Sequence, residues 1–183
     1  LTLLKLDDIN NVGSMQLRVR SLVDTMLRSH NASPTLEKRQ TPPVYEEKHR
    51  SRKILIPFFT PFISPLLPGI MKNLGYEVES LPISNEKSAE YGLKYANNEV
   101  CYPATLVVGD FIKAFMEDGY NPSECAVAMT QTGGQCRASN YLPMIKKALI
   151  DAGYIDTPVI SVAFGSGLEN EQPGFRVNWL KVI

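Results

Sequence analysis

Short apolar runs alternate with helix-like patterns along most of this chain. Four of these apolar runs are short and bounded by turn or charged residues. The run over residues 53–58 is almost continuously apolar, which is typical of strands in buried parallel sheets. The four runs predict strands over residues 53–58, 76–81, 125–130 and 158–162. Between them, apolar residues recur three and four positions apart and predict helices over residues 66–74, 84–96, 103–118 and 141–152. The strand–helix–strand order predicts parallel crossover units.

This alternation predicts the α/β fold class: an open, mostly parallel, flavodoxin-like (Rossmann-like) three-layer sheet with helices on both faces. We assign residues 53–183 to this domain. Upstream, residues 1–30 contain a predicted N-terminal helix that Ser14 can cap and that ends near Ser29. Residues 31–52 are polar and contain several prolines, so they predict a linker.

Composition and charge narrow the class of protein. Of 183 residues, 44% are hydrophobic and 21% charged, which is enough apolar material for one core. The 19 basic and 19 acidic side chains cancel, so charge does not indicate a nucleic-acid partner. There is no apolar stretch of membrane-spanning length and no signal-peptide pattern, so we expect a cytoplasmic protein with no membrane partner. The 3 cysteines are then expected to be reduced and available for metal or redox chemistry.

The two ends of the chain suggest a piece of a longer polypeptide. The chain opens on Leu1, and an apolar-rich segment is only starting at residues 175–183. A small processed protein is the alternative.

Cys101 stands at the predicted start of the helix over residues 103–118. Pro103 suits the first turn of a helix, where its missing N–H would have no partner in any case. Cys101 is therefore expected at or next to the N-cap. The positive end of the helix dipole favours a thiolate there, or anionic sulfur bound to iron or zinc.

Cys136 follows the predicted strand over residues 125–130 in a glycine turn. Gly133 and Gly134 can take positive φ and expose backbone N–H groups to an anion. This turn lies at the carboxyl end of the strand, the edge at which open α/β sheets bind ligands. We predict that Cys101 and Cys136 lie within about 10 Å of each other there, as shared ligation requires.

These segments resemble the 2-hydroxyacyl-CoA dehydratase superfamily. The matching residues are the run 98–103 (NEVCYP), Gly109-Asp110 on the following helix, and the run 130–141 (TQTGGQCRASNY). The likeness extends from about residue 53 to residue 162. It is greatest to the CoA-substrate-specific enzyme activases, long activase-related proteins that join an ATPase activator part to a dehydratase-subunit-like part.

The resemblance implies a flavodoxin-like domain whose cysteines hold an iron–sulfur cluster. Cys101 and Cys136 would be metal ligands. Gly133 and Gly134 would shape the cofactor-binding loop, and Arg137 would bind an anionic CoA or phosphate group. The implied partners are the remaining domains of a longer chain, including an ATPase activator part, and a CoA-thioester substrate reached by low-potential electron transfer. Enzyme activity would belong to the whole protein, and whether the chain forms oligomers stays open.

The chain departs from the family pattern in two ways. Family clusters are held by at least three cysteines, but Cys125 opens a predicted strand at the opposite edge of the sheet. We interpret Cys125 as a small core residue and expect a further ligand from a downstream domain, a partner, or nowhere. No glycine-rich phosphate loop of the usual kinds occurs, so the ATPase half is missing.

Each candidate also has a purely structural interpretation. Cys101 and Cys136 can be unliganded thiols in structural loops, and Arg137 can pair with a nearby helix end or carboxylate. Tyr102 and Tyr141 are expected to pack with their hydroxyls at the rim.

Three functions stay open on the sequence alone. They are a cluster-binding enzyme component, a metal-free module that binds a nucleotide, CoA or flavin, and a structural spacer. His30 and His49 are expected to be solvated, and they have no partner for a catalytic dyad. No catalytic residue is assigned, and the glycine-rich loop over residues 163–174 has no assigned role.

Overall fold

The computed structural model describes residues 12–30, 40–97, 100–131, 140–163 and 172–177. The chain divides into two compact units, residues 1–39 and residues 40–183. In the first unit, helix α1 spans Val12–His30, where the sequence predicts an N-terminal helix. The helix begins before Ser14, so the expectation that Ser14 caps it is wrong.

The second unit alternates strands and helices. In chain order these are β1 (Lys53–Ile56), α2 (Leu67–Asn73), β2 (Val78–Ser80), α3 (Glu86–Tyr95), α4 (Tyr102–Met116), β3 (Cys125–Gln131), α5 (Tyr141–Asp151) and β4 (Val159–Ala163). A single 3-10 turn, Glu47–His49, precedes β1. Each strand and helix that the sequence predicts is present, with ends that differ by at most two residues.

The four strands form a parallel sheet in the order β2-β1-β3-β4. Ile54 pairs with Val78 on one side and with Ala126 on the other, and Val127 pairs with Val159. This confirms the predicted open, parallel α/β sheet of flavodoxin-like class. The chain runs outward from β1 to β2 and then returns to place β3 on the other side of β1. The connections therefore diverge between β1 and β3, which makes this pair the topological switch point.

Helices α3, α4 and α5 pack on one face of the sheet. The core on this face includes Leu55 and Val127 from the strands, Phe111 and Ile112 from α4, and Leu149 from α5, all fully or almost fully buried. Burial of each such side chain contributes roughly 1.5–3 kcal/mol. The apolar stripe of α4 therefore faces the sheet, as its sequence predicts.

Helices α3 and α4 approach each other closely because glycines lie at their contact. A Cβ atom on Gly109 would lie 1.7 Å from the Ser88 carbonyl oxygen, and one on Gly92 would lie 2.0 Å from the Thr105 carbonyl oxygen. A capping box fixes the start of α3: Asn85 Oδ1 accepts a hydrogen bond from the Ser88 N–H, and Ser88 Oγ accepts one from the Asn85 N–H. The two helices therefore pack as one layer with little room for sliding.

Helix α2 and two irregular segments, residues 40–52 and 172–177, pack on the other face. The core here includes Ile54, Tyr76, Ala126 and Ile160, with Phe175 packed against it.

None of the helices within the described residues combines the length and the apolar character needed to cross a lipid bilayer.

Residues 40–52, which the sequence assigns to a linker, pack on this second face. The Tyr45 ring is buried and meets the Phe175 ring edge to face at a centroid distance of 6.3 Å. His49 is only 6% exposed, and its Nδ1 accepts a hydrogen bond from the Glu46 N–H. The expectation that His49 is solvated is therefore wrong, because its ring satisfies a backbone donor while packing beside Tyr45. The side chain of His30 lies outside the described residues.

Candidate functional site

Cys101 is the N-cap residue of α4, as the position of Pro103 predicts. Its backbone is extended, with φ −67° and ψ 147°, and its carbonyl oxygen accepts hydrogen bonds from the N–H groups of Ala104 and Thr105 at 2.9 and 3.3 Å. The Cys101 side chain makes no capping hydrogen bond and is half-buried. The sulfur therefore lies at the positive end of a 15-residue helix without being consumed as a cap.

A second helix begins beside the same sulfur. Cys101 Sγ lies 3.5 Å from the hydroxyl oxygen of Tyr141, the first residue of α5, and either atom can be the donor in this contact. Tyr141 is buried, as expected. Tyr102 was also expected to pack, and this expectation is wrong. Its side chain is 61% exposed and does not lie on the core-facing side of α4. The sulfur therefore has the N-terminus of α4, which favours negative charge, on one side and the hydroxyl of a tyrosine from the first turn of α5 on the other.

The strands place this meeting point at the carboxyl edge of the sheet. Helix α5 follows the carboxyl end of β3, so Tyr141 marks that edge. Helix α4 ends at Met116, and the chain then enters β3 at Cys125 on the opposite edge. Helix α4 therefore runs antiparallel to the strands, with Cys101 at the edge where open α/β sheets bind ligands.

Cys125 lies at the other edge of the sheet. It opens β3, pairs with Lys53 at the start of β1, and is 3% exposed. The 15 residues of α4 rise about 1.5 Å each, so roughly 22 Å of helix separates the two edges. Burial is the main cause that raises the pKa of the Cys125 thiol. Cys125 is therefore a neutral core residue that does not belong to the site at Cys101.

The second cysteine motif lies outside the described residues. Cys136, Gly133, Gly134 and Arg137 all fall there, so the predicted proximity of Cys101 and Cys136 stays a prediction. The described chain leaves the sheet at Gln131 and resumes at Asn140, immediately before α5. Asn140 is the N-cap of α5, and its side chain makes no capping hydrogen bond.

A side-chain hydrogen bond joins the carboxyl end of β3 to the neighbouring strand β4. Ser161 Oγ of β4 donates to Gln131 Oε1 at 2.7 Å. This bond fixes the last residue of β3 at the carboxyl edge. Within the described residues, no group of three or more His, Cys, Asp or Glu side chains is placed to hold a metal ion.

Asp110 is a buried carboxylate on α4 that the sequence analysis noted only as part of the Gly109-Asp110 motif. It is 3% exposed, and its Oδ2 accepts a hydrogen bond from Ser84 Oγ at 2.7 Å. Burial is the main cause that raises its pKa, against the hydrogen bonds from Ser88 and Ser84 that lower it. Within the described part of the chain, its Oδ1 has no hydrogen-bond partner. The sequence signal for this residue was a single acid inside an otherwise apolar stripe.

A polar cluster occupies the amino edge, away from Cys101. Glu79 accepts a hydrogen bond from the Tyr120 hydroxyl at 2.5 Å and pairs with Lys53 Nζ at 2.9 Å. The Tyr120 hydrogen bond, followed by the Lys53 hydrogen bond, lowers the pKa of Glu79. This cluster joins the start of β1 and the connection between α4 and β3 to β2, and we assign it a structural role.

Comparisons with known proteins leave the family open. No family model, no curated protein and no solved structure matches this chain.

Proposed function

We propose that the chain is the iron–sulfur-cluster-binding, dehydratase-like domain of a 2-hydroxyacyl-CoA dehydratase activase-related protein. Such a domain takes part in low-potential electron transfer toward a CoA thioester. The observation that carries this proposal is the position of Cys101 at the N-cap of α4, next to the first residue of α5 and at the carboxyl edge of the sheet. Anionic sulfur there is stabilised by the dipole of α4, and the Tyr141 hydroxyl can donate a hydrogen bond to it.

The roles in this proposal follow the motifs. Cys101 and Cys136 are cluster ligands, with Gly133 and Gly134 shaping the loop that carries Cys136. Arg137 neutralises an anionic CoA or phosphate group.

The donors of this chain do not complete a cluster. Iron–sulfur clusters are held by Cys thiolates, four in the common types. Cys125 is buried at the far edge of the sheet and cannot join Cys101 without unfolding β3. Further ligands must come from another domain of a longer chain or from a partner, so we derive no reaction step on the cluster.

Anaerobic reconstitution with iron and sulfide tests this function. We expect substoichiometric iron and sulfide on the 183-residue chain and a stable brown species on a longer parent chain. In the parent, Cys101→Ser and Cys136→Ser should each abolish the visible absorption. Cys125→Ser is the matched control and should leave it unchanged.

Two results would reject the proposal in different ways. A colourless parent chain that binds CoA or a nucleotide would favour the metal-free binding module. A parent chain that loses its cluster on Cys125→Ser but keeps it on Cys101→Ser would show that the site lies at the amino edge.

A further inference from the structure

An apolar cavity of about 660 Å³ lies against the face of the sheet that α2 covers in part. Ile56 of β1 and Ala128 of β3 form its floor, and Met71 and Leu74 from α2 and its end form a wall. Phe175 also lines it. The volume lies within the range of about 300–1,000 Å³ that is typical of small-molecule sites.

The cavity reaches the topological switch point. Phe59 and Thr60, which follow the carboxyl end of β1, line it together with Thr130 near the carboxyl end of β3. These are the two adjacent strands from which the connections diverge. Open α/β sheets bind ligands in the crevice outside this pair of strand ends, so position and shape independently indicate a ligand site.

The lining defines the chemistry of the ligand. No charged side chain lines the cavity within the described part of the chain, and the side-chain hydroxyls there belong to Thr60 and Thr130. Thr60 Oγ1 already accepts a hydrogen bond from the Ile63 N–H at 3.1 Å. A phosphate or carboxylate would lose its hydration here without gaining a charged partner.

We propose that this cavity binds an uncharged apolar small molecule, aliphatic or aromatic, with at most one or two hydrogen-bonding groups near Thr60 and Thr130. The lining includes Thr130, the first residue of the second cysteine motif, but the argument for this site does not depend on the proposed iron–sulfur function.

Titration of the 183-residue chain with N-phenyl-1-naphthylamine, an uncharged apolar fluorophore, tests the site. We expect saturable binding of one molecule per chain, displacement by 1-decanol, and no displacement by ATP. Ala128→Phe should weaken binding at least tenfold, because the new ring extends from the floor into the cavity.

Two further variants keep the result interpretable. Met71→Trp fills the same cavity from α2 and should also weaken binding at least tenfold, which covers the case that Ala128→Phe does not fold by circular dichroism. Phe62→Ser is the matched control. Phe62 is 83% exposed and lies outside the cavity lining, so its removal should leave the affinity unchanged.

Three outcomes would overturn the proposal. The first is the absence of saturable binding, which would leave a polypeptide segment as the occupant of the cavity. The second is binding that survives in a folded cavity-filling variant. The third is binding that Phe62→Ser abolishes, which would assign the fluorescence to exposed apolar surface.

Discussion

Asp110 shows how a single side chain links the stability of this fold to pH. Its carboxylate is buried between α3 and α4, where the Ser84 hydroxyl supports one oxygen. Burial disfavours the charged form and raises the pKa. A group of this kind stabilises the folded state below its unfolded pKa, and that contribution is lost as pH rises through the folded pKa.

Asp110→Asn should therefore gain stability relative to the wild type as pH rises. The amide stays neutral, whereas the wild-type carboxyl must ionise in a buried position. Urea unfolding of both proteins between about pH 4 and pH 7 measures the difference in the free energy of unfolding. A difference that does not change with pH would contradict this assignment.

Glu79 should behave in the opposite sense. Its pKa is lowered by the Tyr120 hydroxyl and by Lys53, so its contribution is present above the unfolded pKa and is lost as pH falls through the folded pKa. Glu79→Gln should cost more stability at neutral pH than in acid, in the same unfolding experiment. The side chain is 40% exposed, so solvent screening keeps the effect small.

At the scale of elements, the glycines between α3 and α4 determine how α4 is held. Gly109→Ala would place a Cβ atom 1.7 Å from the Ser88 carbonyl oxygen and force the helices apart. We expect a loss of about 1–3 kcal/mol in the free energy of unfolding, although alanine favours helix formation.

Gly69→Ala is the matched control for this prediction. Gly69 lies in α2, and a Cβ atom there would have no neighbour within 4 Å. Helix propensity alone then predicts a gain of up to about 1 kcal/mol. Equal effects of the two substitutions would show that the close approach of α3 and α4 does not limit stability.

Local patterns predicted α4 well, and contacts between distant residues explain what they missed. The apolar stripe of α4 and Pro103 in its first turn indicated its burial and its N-cap residue, Cys101. Tyr45 and His49 were missed because their burial depends on packing far along the chain, where Phe175 meets the Tyr45 ring. No periodicity exists in such irregular segments to reveal which side chains turn inward.

One residue of the candidate site, Cys101, could be predicted from local sequence. A cap position is a local property, so Cys101 could be placed from its neighbours in sequence. The contact with Tyr141 joins residues 40 positions apart, and it depends on β3, which connects α4 to α5 so that both pack on the same face of the sheet. The apolar cavity was not predicted, because it depends on how α2 and residues 172–177 pack against the second face, which no local pattern reveals.

At the scale of the whole molecule, Tyr76 ties the end of the described chain to the sheet. Its hydroxyl donates a hydrogen bond to the Gly174 carbonyl oxygen at 3.2 Å and accepts one from the Arg176 N–H at 2.8 Å. These bonds hold residues 172–177 against the second face, beside the cavity. The phenol of Tyr76, about 100 positions earlier in the chain, therefore helps to order this segment, together with the Tyr45 carbonyl oxygen, which accepts a hydrogen bond from the Gly174 N–H.

Tyr76→Phe should loosen that segment without detaching it, because Phe175 still packs on the rings of residues 45 and 76. We expect a loss of about 1 kcal/mol in the free energy of unfolding and faster hydrogen exchange at the Arg176 amide, which loses its acceptor. Tyr91→Phe is the control, because the Tyr91 hydroxyl donates to Glu117 at an exposed position. If both variants exchange at Arg176 like the wild type, the phenol does not order the segment.

The burial of Cys125 at the start of β3 gives the protein an internal probe of its own opening. A thiol-reactive reagent can reach half-buried Cys101 in the native state. It can react with buried Cys125 only after local unfolding at the start of β3 exposes that thiol. In a Cys101→Ser/Cys136→Ser variant, Cys125 is the remaining thiol. The rate at which Cys125 is labelled would then report how often the start of β3 unfolds locally under native conditions.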